Sequence, residues 1–433
     1  MRVARPLVVV MPIATAIVLC LSTGRTSAHG NAFELGRPLD GLNMQQRAQF
    51  RDGKTVFEEV EDATDGLGPI FNNTGCAVCH STPVTGGASA INETRAQKLV
   101  NGQLFEFPGG SLFQSQAISS NCAETIPPDA NVIALRQTTP LFGLGLVEAI
   151  PDSDIEAYAF QEARQHPEQA GRVNRVTDVA SGQNRVGRFG WKDQHATLLS
   201  FSGDAYVNEM GVTNRLFPTE NAPNGDLTKL KACDTVADPE DKDDDVTQFA
   251  NFMRFLAPPP RDPSLARASS GGGGSDHGGP DRGSLRDRFN SFFGRGGARD
   301  DGGRSSATDL SGPTGGEKLF EQIGCAVCHH AGFVARSPVD AIDGQPVNAY
   351  SDFLLHDVGT GDGILQGTAP PNELRTPPLW GLSDSAPYLH DGSAATVRDA
   401  IKRHGNQGAA ARAAFDALSW QQQQAVLDFL DAI

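Results

Sequence analysis

The chain has 433 residues, 39% of them hydrophobic, and a formal net charge of −16. Length and composition describe an acidic globular protein of about two domains. Acidity of this size excludes nucleic acid as a natural partner; it fits a solvated surface, or steering toward a basic partner.

Met1-Arg2-Val3-Ala4-Arg5 is followed by an apolar run from Leu7 to Leu21 and by Thr26-Ser27-Ala28. This is the pattern of a signal peptide over residues 1–28, cut after Ala28. The run is too short for a membrane anchor and Pro12 interrupts it. No later stretch is long or apolar enough to span a bilayer. The expected location is therefore the periplasm, where disulfides persist.

Two segments share one pattern, Cys76-Ala77-Val78-Cys79-His80 and Cys325-Ala326-Val327-Cys328-His329. A bare Cys pair also suits zinc or a redox site. A duplicated Cys-x-x-Cys-His in an exported chain implies two covalently bound c-type haems. Cys76 and Cys79, and again Cys325 and Cys328, would form the thioethers, and His80 and His329 would bind the irons.

The flanking segments repeat as well. Gly53-Lys54-Thr55-Val56-Phe57-Glu58 matches Gly316-Glu317-Lys318-Leu319-Phe320-Glu321, and Arg136 to Leu144 matches Arg375 to Leu382. The chain reads as an internal duplication, with one cytochrome c-like haem domain at 29–267 and another at 311–433. Between them, residues 268–310 are rich in Gly, Ser, Asp and Arg and read as a disordered linker or surface loop. His277 belongs to that solvated stretch.

Of seven cysteines, Cys20 lies in the signal and four lie in the haem motifs. Cys122 and Cys233 remain and are expected to form a disulfide; the alternative is two separate buried thiols. At the C-terminus Val426, Phe429, Leu430 and Ile433 recur at helical spacing behind Ser419, a suitable N-cap. β signals are sparse. The expected fold is mainly α, two small helical haem cores with long loops and little β.

A haem iron needs a second axial ligand or an open position, and that choice separates electron transfer from catalysis. In the second half a helix-like stretch from Ala394 ends at His404, the candidate sixth ligand, with His390, His356 and His330 as competitors. Overlaying Ala196-Thr197-Leu198 on Ala395-Thr396-Val397 places Ala205 opposite His404. The His80 haem is therefore expected to have an open or weakly held sixth position. His166, His195 and Met210 are the alternatives there.

The ordered series Phe71-Asn72-Asn73-Thr74-Gly75-Cys76, Gly143 to Pro151, Gly187 to Lys192, Asn208-Glu209-Met210-Gly211 and Arg375 to Gly392 resembles the bacterial di-haem cytochrome c peroxidase superfamily, most closely its di-haem oxidoreductase branch. In those relatives the position fourteen residues after the His of Tyr-x-His-Asp-Gly supplies the distal ligand of the C-terminal haem, usually Met. Here it is His404, and His/His ligation lowers a haem potential relative to His/Met. Asn208-Glu209-Met210 resembles the pair that carries the distal acid/base, which implies that role for Glu209. Trp191 resembles the tryptophan that lies between the two haems and relays electrons. The resemblance also implies calcium between the domains, near Thr376-Pro377-Pro378. The name thiol oxidoreductase is attached to this branch, yet no redox Cys pair remains beyond the haem motifs.

The implied activity is reduction of hydrogen peroxide, or a reaction of dioxygen, at the N-terminal haem. Electrons would pass through the C-terminal haem from a small cytochrome c, a cupredoxin or an oxidisable substrate. Two other classes stay open, an electron-transfer di-haem cytochrome and a haem-dependent oxygenase or protein-modifying oxidase.

Overall fold

The computed structural model describes residues 35–261 and 312–433. The expected signal peptide and the expected linker, with Cys20 and His277, lie outside the described residues. Among the described residues no helix is long and apolar enough to cross a membrane.

Helices and long loops dominate. The helix Met44–Phe57 starts at Asn43, whose side chain accepts from the Gln46 amide while the Gln46 side chain accepts from the Asn43 amide. This reciprocal cap satisfies two otherwise unpaired donors. Phe50, Gly53 and Phe57 form its buried face, which packs on the helix Asp245–Phe255. The crossing is close because Gly53 has no side chain: a Cβ there would fall 2.3 Å from the Gln248 carbonyl oxygen.

The second half repeats this arrangement. Gly312–Gln322 packs on Trp420–Ala432, and a Cβ at Gly316 would fall 1.9 Å from the Ala425 carbonyl oxygen. Ser419 caps Trp420–Ala432 with Gln422, and Val426, Phe429 and Leu430 are buried beneath it. The aromatic contacts correspond too. Phe57 lies 4.9 Å from Phe252 and 6.0 Å from the ring of His80. Phe320 lies 5.3 Å from Phe429 and 6.1 Å from the ring of His329.

The β structure is small, and its largest sheet lies in the first half. Asn92–Val100 pairs antiparallel with Gln103–Phe105, Leu112–Phe113 and Val132–Gln137, forming a four-stranded sheet. In Val132–Gln137 the apolar residues point the unexpected way, with Ile133 57% and Leu135 44% exposed while Ala134 and Arg136 are buried. Hydrophobic alternation therefore gives no usable guide to its inner face.

Two apolar cores result. The larger draws on the first half and also takes in Phe333, Ile342, Val347, Phe353 and Trp380 from the second. The smaller gathers Leu319, Phe320, Phe415, Val426 and Phe429. Buried charges join the halves further: Asp362 accepts from Arg136 at 2.6 Å and from Lys192 at 3.0 Å, with all three side chains essentially inaccessible. Breaking such a pair from one side is costly because it strands the other charge.

Candidate di-haem site

Each Cys-x-x-Cys-His forms a tight turn, with the His80 amide donating to the Cys76 carbonyl and the His329 amide to the Cys325 carbonyl, both at 3.0 Å. None of the four motif cysteines is in a disulfide. Burial pushes the Cys76 and Cys325 thiols up to about 12, the reverse of the low pKa that a reactive redox pair needs.

Backbone carbonyls orient the histidine rings in the clefts. His80 Nδ1 lies 3.3 Å from the Gly87 carbonyl, His329 Nδ1 3.1 Å from that of Tyr350, and His404 Nδ1 2.9 Å from that of Ala400. With Nδ1–H donating to backbone, Nε2 is left as the basic nitrogen. Burial holds His80 and His329 down at about 4, so both rings are neutral.

His329 and His404 face each other across a cleft, ring centroids 6.4 Å apart. Two imidazoles on opposite sides of one iron, each bonded at about 2 Å with its centroid about 1 Å farther out, require roughly this spacing. The cleft is lined mainly by apolar side chains, among them Leu374, Leu379 and Ile401. The residues present therefore fit a haem ligated from both sides.

Two of the competing histidines are otherwise engaged. His356 Nε2 is 2.8 Å from Asp352 Oδ2 and its Nδ1 is 3.6 Å from Cys328 Sγ. His330 packs against Tyr158, ring centroids 4.2 Å apart. His390 lies at the cleft edge, buried, its ring 6.3 Å from that of Trp191.

The first cleft contains Cys76, Cys79 and His80. Ala205 lines it at the position that corresponds to His404. His166 is exposed at the end of the helix Asp152–Gln165. His195 is buried, with Nδ1 3.2 Å from Ser200 Oγ and Nε2 3.2 Å from Asp204. The Met210 sulfur lies 4.0 Å from Cys76 Sγ, at the Cys76 end of the cleft.

Glu209 closes the helix Leu198–Glu209 and turns its carboxyl into this cleft. Asn72 Nδ2 donates to Glu209 Oε2 at 2.7 Å, and the Asn72 amide donates to the Glu209 carbonyl at the same distance. Its carboxyl is also hydrogen-bonded to that of Glu93. Burial first, and the Glu93 charge second, push Glu209 up to about 8. For Glu93, burial is outweighed by Arg95 and Arg136, which hold it below the usual carboxylate range. Arg95 Nε reaches Glu93 at 2.7 Å and Arg136 at 3.7 Å. The cleft thus holds a carboxyl pair whose surroundings favour charge on Glu93 and the proton on Glu209.

Sequence reasoning missed Glu93, Arg95 and Arg136. Glu93 and Arg95 alternate along a strand, a pattern that a solvated strand face carries equally well.

Trp191 lines both clefts. Its indole Nε1 donates to the Gln137 carbonyl at 3.0 Å. A reciprocal pair of backbone bonds surrounds it: the Gln137 amide donates to the His390 carbonyl at 2.6 Å and the Arg375 amide to the Trp191 carbonyl at 2.9 Å. Trp191 and His390 occupy matching positions of the repeat, each fourteen residues before Ala205 or His404. Asp193 takes a left-handed conformation, φ 53°, where the second half has Gly392 at φ 67°. Cys122 and Cys233 are joined by a disulfide, Cα–Cα 6.1 Å.

A family model described as "Di-haem oxidoreductase, putative peroxidase" matches residues 103–261 and 302–433, most of the chain. The chain belongs to this di-haem oxidoreductase family. Its members carry two haems, and the two clefts, each with a Cys-x-x-Cys-His turn, are the sites that fit them here. No curated protein matches the chain. Among solved structures, hydrazine synthase of Kuenenia stuttgartiensis is 16% identical with TM-score 0.37, covering 99% of this chain and 100% of the other. A MauG-like protein associated with microbial copper homeostasis is 13% identical with TM-score 0.34, covering 91% and 92%.

Proposed function

We propose that this di-haem oxidoreductase is a periplasmic peroxidase that reduces hydrogen peroxide at the first cleft. The observation that carries the reading is the half-buried Glu93–Glu209 pair in the cleft that holds His80, where Ala205 stands in place of the second half's His404. Two covalently bound haems, held by Cys76, Cys79 and His80 and by Cys325, Cys328 and His329, would supply the irons that accept the peroxide oxygen and carry electrons. His404 would be the second ligand of the C-terminal iron.

Reduction of H2O2 to two waters consumes two electrons and two protons. Heterolysis of the O–O bond is assisted when a proton leaves the oxygen that stays and another reaches the oxygen that departs. Glu93, held ionised by Arg95 and Arg136, suits the first task. Glu209, holding its proton on the carboxyl, suits the second. The pair finishes with the one proton that it began with, because the incoming proton passes between hydrogen-bonded carboxyls. Asn72 fixes the Glu209 carboxyl in position.

The electrons would come from a small periplasmic cytochrome c or cupredoxin and cross between the clefts by Trp191, which touches both. The repeated helix pairs and reciprocal Gln137–His390 and Arg375–Trp191 bonds support an origin by internal duplication. Calcium between the halves follows from the resemblance alone.

EPR of the oxidised holoprotein, before and after one equivalent of hydrogen peroxide, tests the reading. One high-spin and one low-spin ferric signal are expected, the high-spin signal vanishing with peroxide. Two low-spin signals indifferent to peroxide would replace the peroxidase with an electron carrier. A product formed from an organic or protein substrate without added donor would instead favour the oxygenase class.

A further inference from the structure

On either side of Cys233 in the chain, the carboxyls of Glu220, Asp238 and Glu240 converge, one oxygen of each within 4.8 Å of the others. Glu220 and Glu240 are buried, 7% and 8% exposed, while Asp238 is open to solvent. Glu220 Oε2 is buried and has no hydrogen-bond partner. The charges that act on Glu220 come from Glu240, Asp238 and Asp234, all acidic. Buried carboxyls in such company require protons or a cation.

We propose that Glu220, Asp238 and Glu240 bind one calcium ion. All three offer only oxygen, the donor set of a hard divalent cation, and several carboxylate oxygens remain available for the high coordination number that calcium prefers. Thr213 holds two of the ligands in place: its amide and hydroxyl donate to Glu240 Oε2 at 2.7 and 3.0 Å, and the hydroxyl also lies 2.8 Å from Asp238 Oδ1. Such outer contacts orient ligands before the metal arrives. Exposed Asp238 gives the ion a way in. This site is separate from the one implied near Thr376-Pro377-Pro378, and it does not depend on the peroxidase reading.

The consequence reaches the first cleft through the chain. Thr213 follows Met210, whose carbonyl accepts from the Gly68 amide at 3.0 Å, and Glu209 precedes it. A cation that ties Glu220 to the 238–240 segment stiffens the stretch that leaves Glu209. Protons compete for the same oxygens. Carboxylates must be deprotonated to bind the ion, so ion uptake releases protons and weakens as pH falls.

The test is calorimetric titration of CaCl2 into the full holoprotein after removal of bound ions with EGTA, at pH 6 and pH 8. Wild type is expected to bind with lower affinity at pH 6. Asp238→Asn, at an exposed position that should fold normally, is expected to weaken one binding event at least about tenfold, and Glu220→Gln to weaken the same event. Wild-type affinity and stoichiometry in both variants would overturn the proposal, as would the absence of any calcium binding to wild type.

Discussion

Glu93 and Glu209 meet carboxyl to carboxyl inside the first cleft, and their surroundings drive their proton affinities in opposite directions. Two arginines stabilise the charge on Glu93, whereas burial and that very charge keep the proton on Glu209. Paired groups with separated affinities are how acid and base roles become assigned within one site. Glu209→Gln keeps the shape and the hydrogen bond to Asn72 but cannot exchange a proton. Peroxide turnover should fall between about a hundredfold and ten-thousandfold, measured as kcat with the haem spectra unchanged. Wild-type turnover in this variant would remove Glu209 from the mechanism.

The pH dependence has a definite sign. Below about 8 the pair carries one proton, and above it that proton is lost, so turnover should decline on the alkaline side. Stability follows the same linkage. The folded-state pKa of Glu209 lies above its unfolded value near 4.5, so its contribution is fully present below 4.5 and is lost as pH rises toward 8. Glu209→Gln should therefore melt higher than wild type at pH 8 and much like it at pH 4. A variant whose thermal stability tracks wild type at both pH values would contradict burial of the carboxyl.

Glu93→Gln removes the charge that is the second cause of the Glu209 shift. The alkaline limb should move to lower pH, and turnover should fall as well. Steady-state rates from pH 5 to 9 would check this; an unmoved limb would mean that burial alone sets Glu209.

At the second cleft, His404→Met should raise the reduction potential of the C-terminal haem, because thioether ligation disfavours the ferric state relative to imidazole. Redox titration followed in the visible bands is the measurement. An unchanged potential and spectrum would move the ligand to His390, which also lines the cleft.

Trp191→Phe keeps an aromatic ring but loses the donor to the Gln137 carbonyl, worth about 1 kcal/mol of stability. Electron transfer between the haems should slow, as seen by stopped-flow, while each haem's resting spectrum stays as in wild type. Equal transfer rates in variant and wild type would leave Trp191 a packing residue.

The Cys122–Cys233 disulfide closes a loop with a sequence separation of 111. Cys122→Ser should cost about 2–4 kcal/mol of unfolding free energy and leave one additional titratable thiol at Cys233 in the unfolded, oxidised protein. Loss of stability without that thiol would point to a different partner for Cys233.

Some of this was legible in the chain. The two Cys-x-x-Cys-His segments are local because the turn, both thiols and the histidine fit within five consecutive residues. The terminal helix was equally readable, since Ser419 and the spacing of Val426, Phe429 and Leu430 carry its start and its buried face. Matching His404 with Ala205 needed only the two repeats laid over each other.

What the sequence could not disclose was set by contacts between distant segments. The sheet that delivers Glu93, Arg95 and Arg136 was hidden because Ile133 and Leu135 face outward and Arg136 inward, the reverse of ordinary amphipathic alternation. Arg136 can be buried because Asp362 lies opposite, 226 residues farther along. The acidity of Glu209 likewise has no sequence signature, for it arises only when the fold excludes water around the carboxyl and brings Glu93 against it. Local pattern thus determined where the two Cys-x-x-Cys-His turns form; long-range packing, by fixing burial and charge partners, decided which carboxyl favours the proton.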